Sequence, residues 1–280
     1  MKKNYVYIFL LVIVSSCELI NNKEEKIPSY LHIDKINLNT NYSLEGSNAN
    51  KITDAWVYID DQSVGIFELP VTFPILAEGT HEIKIRAGIK TDDITTIRTP
   101  YPFYDLYKAN VNLLKDSIIK IDPVVNYLSY ATFDWREDFE GAAFSITDTS
   151  GTDTTMQFNT ITPFEGNKCG MVNLDAVKTY YLGKSSSAFT LPQAGAPVWL
   201  ELNYKSNNTF GVGIYSSNIP NAQLLLIANP SDTWNKIYIE LTSATGNAGN
   251  INPFHIFINM TKNADVAAPQ LLIDNIKLVH

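Results

Sequence analysis

Arginine is scarce in this chain. Only three of the 21 basic residues are Arg (Arg86, Arg98 and Arg136), against 29 acidic ones, and the formal charge is −8. A nucleic-acid partner is therefore excluded, because displacing phosphate counterions needs a basic stripe. Bidentate phosphate recognition is equally undersupplied. Cysteine is almost absent, with two residues, so no network of several disulfides and no cysteine metal cluster can form. Histidine numbers four (His32, His81, His255, His280), never paired at metal-ligand spacing. The longest apolar run is short. Tyr5 to Val14 would span only ~15 Å as a helix, half of a ~30 Å bilayer core. What is abundant is Asn, at 27, and Thr, at 23, which suit strands and turns more than helices. The apolar fraction of 45% is ample for a packed core.

Residues 1–16 read as an export signal: Lys2 and Lys3, the apolar run, then Ser15-Ser16 before Cys17. Val14-Ser15-Ser16-Cys17 resembles the lipobox of bacterial lipoproteins. The resemblance implies cleavage before Cys17, acylation of that residue, and a membrane partner held through the lipid anchor. Removing the signal lysines leaves a charge of −10. Residues 17–27 form a polar tether. Within it Lys23-Glu24-Glu25 resembles the signal that sends Bacteroidota-type lipoproteins to the outer face of the outer membrane. It sits further from the cysteine than usual, so surface display and a plain solvated linker both stay open. The expected location is the outer membrane. Once Cys17 carries lipid, Cys169 is the one thiol left, and it reads as a small buried apolar residue.

Most of the remaining chain alternates with period two, the mark of half-buried strands. The expected fold class is all-β. Residues 28–128 form a first block, with strong strands at 55–60, 64–69 and 81–89. The segment from Val57-Tyr58-Ile59-Asp60-Asp61 to Gly79-Thr80-His81-Glu82-Ile83-Lys84-Ile85 resembles Ig-like or carboxypeptidase-regulatory-like β-sandwich modules. Such modules are usually spacers. Residues 133–280 form a second block. It opens on Asp138-Phe139-Glu140 and closes on Ile273-Asp274-Asn275-Ile276. This resembles the galactose-binding-like jelly roll shared by many carbohydrate-binding modules, which implies two antiparallel sheets.

The usual catalytic motifs are missing: Gly-x-Ser-x-Gly, His-Glu-x-x-His and the Gly-rich phosphate loop. Glu137, Asp138 and Glu140 invite a glycoside hydrolase reading, but alternate positions never supply a third acid. The chain is therefore read as a non-catalytic binder. In a jelly roll the first and last strands are neighbours, which brings Glu140 near Asp274. Hard oxygen donors there would suit a structural Ca²⁺.

Strands are expected at 198–205, 210–216, 234–241, 254–261 and 271–279. Alternation turns Val198, Leu200, Leu202 and Tyr204 inward, with Val212, Ile214, Phe254, Ile256 and Ile258. In the jelly-roll order the strands at 198–205, 210–216 and 254–261 share one sheet. Its outer surface would then present Trp199, Tyr215 and Phe257 among Glu201, Asn203, His255 and Asn259. Sugar rings stack their C–H faces on aromatic faces, and amides and carboxylates bind hydroxyls. The expected partner is an extracellular polysaccharide. The alternative is an outer-membrane protein complex in which the sandwich is a docking surface.

Overall fold

The structure is a computed structural model and describes residues 27–92, 96–216, 222–246 and 253–280. The signal segment, Cys17 and the tether up to Lys26 lie outside the described residues.

The first block carries β1 (Ser29–Ile33), β2 (Asn37–Asn39), one helical turn α1 (Tyr42–Glu45), β3 (Asp54–Ile59), β4 (Gln62–Glu68), β5 (Val71–Ile75), β6 (Gly79–Lys90), β7 (Arg98–Pro100), β8 (Leu106–Leu113), β9 (Ile118–Ile121) and β10 (Val124–Asn126). They pair as β4-β3-β6-β7 with β8 also on β6, as β5-β1-β9, and as β10-β2. Local chemistry explains the β3–β4 hairpin. Ile59 pairs with Gln62, and the two loop residues Asp60 and Asp61 both take positive φ, 47° and 65°. That is the primed two-residue turn whose twist matches the flanking strands, and Asp is among the residues that tolerate it. In β6 the alternate residues Ile83, Ile85, Ala87 and Ile89 are all buried.

The second block carries β11 (Phe133–Glu137), β12 (Ile146–Asp148), β13 (Gln157–Asn159), β14 (Cys169–Asn173), β15 (Tyr180–Ser185), β16 (Trp199–Ser206), β17 (Phe210–Ser216), β18 (Gln223–Ala228), β19 (Ser231–Glu240), a helical turn α2 (Thr242–Gly246), β20 (Phe254–Thr261) and β21 (Gln270–Val279). A six-stranded sheet runs β13-β14-β21-β16-β19, with β11 pairing the far end of β21. A five-stranded sheet runs β12-β15-β20-β17-β18. All these pairs are antiparallel, and the two sheets close a jelly-roll core of inward Leu200, Leu202, Val212, Ile214, Ile256, Ile258, Ile273 and Leu278. The chain is thus all-β, with two sandwiches in series.

The blocks are not beads on a string. One apolar cluster contains Tyr101, Phe103, Tyr104 and Tyr127 from the first block together with Trp199, Tyr238 and Val279 from the second. Thr91 forms a β-bridge with Tyr238, and Asp92 N–H donates to the Tyr238 carbonyl at 2.9 Å. The outer surface of the six-stranded sheet is therefore covered by the first block. The layers follow in order: first block, six-stranded sheet, jelly-roll core, five-stranded sheet.

Candidate glycan-binding face

The free surface of the five-stranded sheet is built by β17 and β20. Inward residues of β20 are Phe254, Ile256, Ile258 and Met260, so His255, Phe257 and Asn259 stand on the outer face. On β17 the outward set is Gly211, Gly213 and Tyr215. The register places Tyr215 opposite His255, Gly213 opposite Phe257, and Gly211 opposite Asn259. Each large outward group of β20 thus meets either a glycine or an aromatic ring.

The glycines are what let these groups lie down across the sheet. A Cβ on Gly213 would stand 2.4 Å from the Phe257 ring, and one on Gly211 would stand 2.2 Å from Asn259 Oδ1. Tyr215 and His255 stack at 5.1 Å with planes 22° apart. Lys184 Nζ hangs 5.4 Å from the Tyr215 ring centre. His255 Nδ1 faces the Ser185 carbonyl at 2.8 Å. A carbonyl only accepts, so Nδ1 carries a proton and donates it to Ser185. Asn259 Oδ1 is buried without a hydrogen-bond partner. Beside it lies a groove of about 190 Å³ bordered by Thr209, Gly211, Leu224, Ile227, Asn259 and Asn263. A tyrosine ring stacked on an imidazole, an ammonium and an unsatisfied amide oxygen lie side by side. A buried polar atom left unsatisfied costs free energy that an incoming hydroxyl donor would recover.

Phe257, expected to be displayed, stands on the outer side of β20 but is buried at 6% exposure, and three further expected site residues do not belong to this face. Trp199, Glu201 and Asn203 lie on β16, which pairs with β19 and β21 in the other sheet. They are 5%, 0% and 2% exposed. The expectation that β16 shares a sheet with β17 and β20 fails because β18 supplies the hairpin partner of β17. The loop 207–209 then crosses between sheets instead of forming a hairpin. The inward-outward alternation of β16 holds, but its outward side faces the first block rather than solvent.

What Trp199 and Glu201 do there is structural. The Trp199 ring meets Tyr101 edge-on at 5.5 Å. Glu201 Oε1 accepts from the Tyr101 and Tyr127 hydroxyls at 2.7 and 2.8 Å, and Oε2 pairs with Lys236 Nζ at 2.7 Å. Lys277 Nζ donates to the Ser47 carbonyl at 2.5 Å and to the Tyr127 hydroxyl at 3.2 Å. Burial pushes the Glu201 carboxyl up, but Lys236, Lys277 and the Tyr101 hydroxyl outweigh it, so its pKa ends below the usual value. Burial brings the Lys277 ammonium down to about 7. The charges come from the second block and the phenols from the first, so neither surface is satisfied alone.

The acidic residues read from the sequence hold backbone. Glu137 accepts from Phe139 N–H and, at 2.5 Å, from Ser145 N–H and Oγ. Asp138 accepts from the Tyr42 hydroxyl at 3.0 Å and Glu140 N–H at 3.1 Å. Glu140 and Asp274 do converge, on the segment 164–168. Glu140 accepts from Asn167 and Lys168 N–H and from Asn167 Nδ2, all within 3.0 Å. Asp274 accepts from Phe164, Glu165 and Asn275 N–H. Every carboxylate oxygen of the pair meets N–H protons, so this donor set does not fit Ca²⁺, which needs free oxygen lone pairs. Among the described residues no cluster of three or more His, Cys, Asp or Glu is placed to hold a metal. Cys169 is fully buried on β14, and burial, with Asp274 nearby, pushes its thiol up to about 12.

Sequence reasoning passed over Gly211, Gly213, Lys184 and the groove wall Leu224. The signal was there in part: Gly-x-Gly inside a strand marks a close approach of another group.

No protein-family model matches the chain, and no curated protein does either. Distant likenesses exist among solved structures. A xylan-binding domain of carbohydrate-binding module family 22 is 12% identical, covers 52% of this chain and 93% of its own, and has a TM-score of 0.38. A family 29 module in complex with mannohexaose is 14% identical over 54% of this chain and 91% of its own, at 0.36. A cleaved adhesin domain of Lys-gingipain from Porphyromonas gingivalis is 13% identical over 53% and 98%, at 0.38.

Proposed function

We propose that the protein is a non-catalytic binder of an extracellular glycan, and that the glycan lies along the outer face of the five-stranded jelly-roll sheet. One observation carries this reading. The Tyr215–His255 stack and the unsatisfied Asn259 oxygen, spaced by the buried Phe257 ring over Gly213, form a strip that offers an aromatic edge and hydroxyl partners side by side. Pyranose rings present C–H faces and hydroxyl edges in the same alternation. The proposed contact residues are therefore Tyr215, His255 and Asn259, joined by Lys184, with Phe257 packed beneath them. The acids of the second block that were weighed as hydrolytic each hold backbone amides, which leaves them a structural task. The chain is further proposed to sit on the outer membrane through lipid on Cys17, with incorporation of radiolabelled palmitate as the check.

The test is a glycan array on the full chain beside Tyr215→Ala and Asn259→Ala. Binding that both variants lose supports the reading. The second reading, docking on a protein of an outer-membrane complex, is favoured by the edge strand β18, where Leu224 and Ile227 are 47% and 60% exposed. Absence of binding to any glycan, with a stoichiometric partner lost on Ile227→Lys, would decide for it.

A further inference from the structure

We infer that the N-terminal tip of the first block is a membrane-contact rim that seats the protein on a lipid surface. Three chain segments meet at this tip. Ser29 pairs with Ile75, and its hydroxyl donates to the Ala77 carbonyl. Asp116 N–H donates to the Pro28 carbonyl, and Tyr30 N–H to the Ser117 carbonyl. Gly79 pairs with Leu113, and Lys115 bridges Glu78 at 3.0 Å. These bonds gather Ile27, Leu76, Leu114 and Ile118, which are 55%, 64%, 53% and 63% exposed. Four large aliphatic side chains at one end of a soluble sandwich form a patch that calls for an occupant.

The point where the chain enters the first block identifies that occupant. The segment before Ile27 holds the ten-residue apolar run and Cys17. Ile27 lies ten positions after Cys17, so a lipid on Cys17 keeps the tip within ~35 Å of the bilayer even with the tether fully extended. The patch carries Lys115 beside Glu78 and Asp116, so charge attraction to lipid contributes little. Insertion rests on the aliphatic side chains, as for shallow interfacial anchors. The proposed glycan face belongs to the five-stranded sheet, at the opposite end of the layer order from the first block. This inference rests on the lipid anchor proposed above and is independent of whether a glycan binds.

The experiment uses the full chain purified from the membranes of expressing cells and reconstituted in phosphatidylethanolamine–phosphatidylglycerol vesicles containing doxyl-labelled lipid. An environment-sensitive fluorophore is placed at Leu114→Cys or, for comparison, at Ile161→Cys, which is 87% exposed in the second block. The expected result is a blue shift and loss of fluorescence at position 114 and neither at 161. The triple variant Ile27→Ser, Leu76→Ser, Ile118→Ser should restore the fluorescence at 114. Flotation with the vesicles but no quenching at 114, or equal quenching at 161, overturns the rim alone. A chain that does not float overturns anchor and rim together. Glycan binding is read separately and is touched by neither outcome.

Discussion

Gly213 shows how much a missing side chain can do. Its absent Cβ is the space that the Phe257 ring occupies, and the Gln223 carbonyl closes the same space at 2.3 Å. Gly213→Val should therefore destabilise the fold by about 1–3 kcal/mol, the usual cost of overpacking. Chemical denaturation measures this, and whatever protein remains folded should bind glycan weakly. Glu201 is the opposite case, a charge whose removal strands its partners. Glu201→Ala leaves Lys236 and Lys277 buried beside unpaired phenols and should cost about 3–5 kcal/mol. Cys169 is inert by burial. Ellman's reagent at neutral pH should leave it unmodified until denaturant is added. The sequence already pointed to Cys169 as a packed apolar residue, and to Tyr215, His255 and Asn259 as outward, because local alternation encodes facing. Burial of Trp199 is not local, and nothing in the residues around it distinguishes a covered aromatic from a displayed one.

At the scale of elements, β16, β17 and β20 were legible almost to the residue from period-two patterning. Their partners were not. Pairing is decided by competition among all strands, and β18 is not marked in the sequence because Leu224-Leu225-Leu226-Ile227-Ala228 is an unbroken apolar run with no alternation. Its register with β17 shifts between Val212 and Gly213, so the run presents apolar side chains to both faces. Leu225 and Leu226 pack on the core while Leu224 and Ile227 stay outside. One overlooked strand moved Trp199 from the expected platform to the opposite sheet. The segment 164–168 offers a test of the calcium expectation. Its amides already satisfy Glu140 and Asp274, so adding a chelator should leave the melting temperature unchanged.

For the whole molecule, the shared interface predicts that the two blocks unfold together. Calorimetry should show one transition, and Glu201→Gln should lower it for both blocks. The pH dependence follows from the same carboxylate. Glu201 has a folded pKa below its ordinary 4.5, so the stability it contributes is fully present above that value. It is lost as pH falls through the folded value. Wild type should therefore lose more stability than Glu201→Gln on acidification below about pH 4.5. Two blocks and their all-β class could be read from the sequence, but their fusion could not. The Tyr101, Tyr104 and Tyr127 cluster looks like ordinary core until its partners on the second block are known.

The proposed lipid anchor and glycan face would make the chain a link that carries tension, and β1 sets how that tension is borne. Load entering from the tether arrives at Ser29, along a strand held between β5, antiparallel, and β9, parallel. A pull along β1 loads both ladders in shear, so their hydrogen bonds must yield together. A strand at the edge of the sheet would instead peel away one bond at a time. The grip at the tether end therefore strengthens with the number of bonds in parallel, which suits the proposed hold by lipid at one end and by polymer at the other.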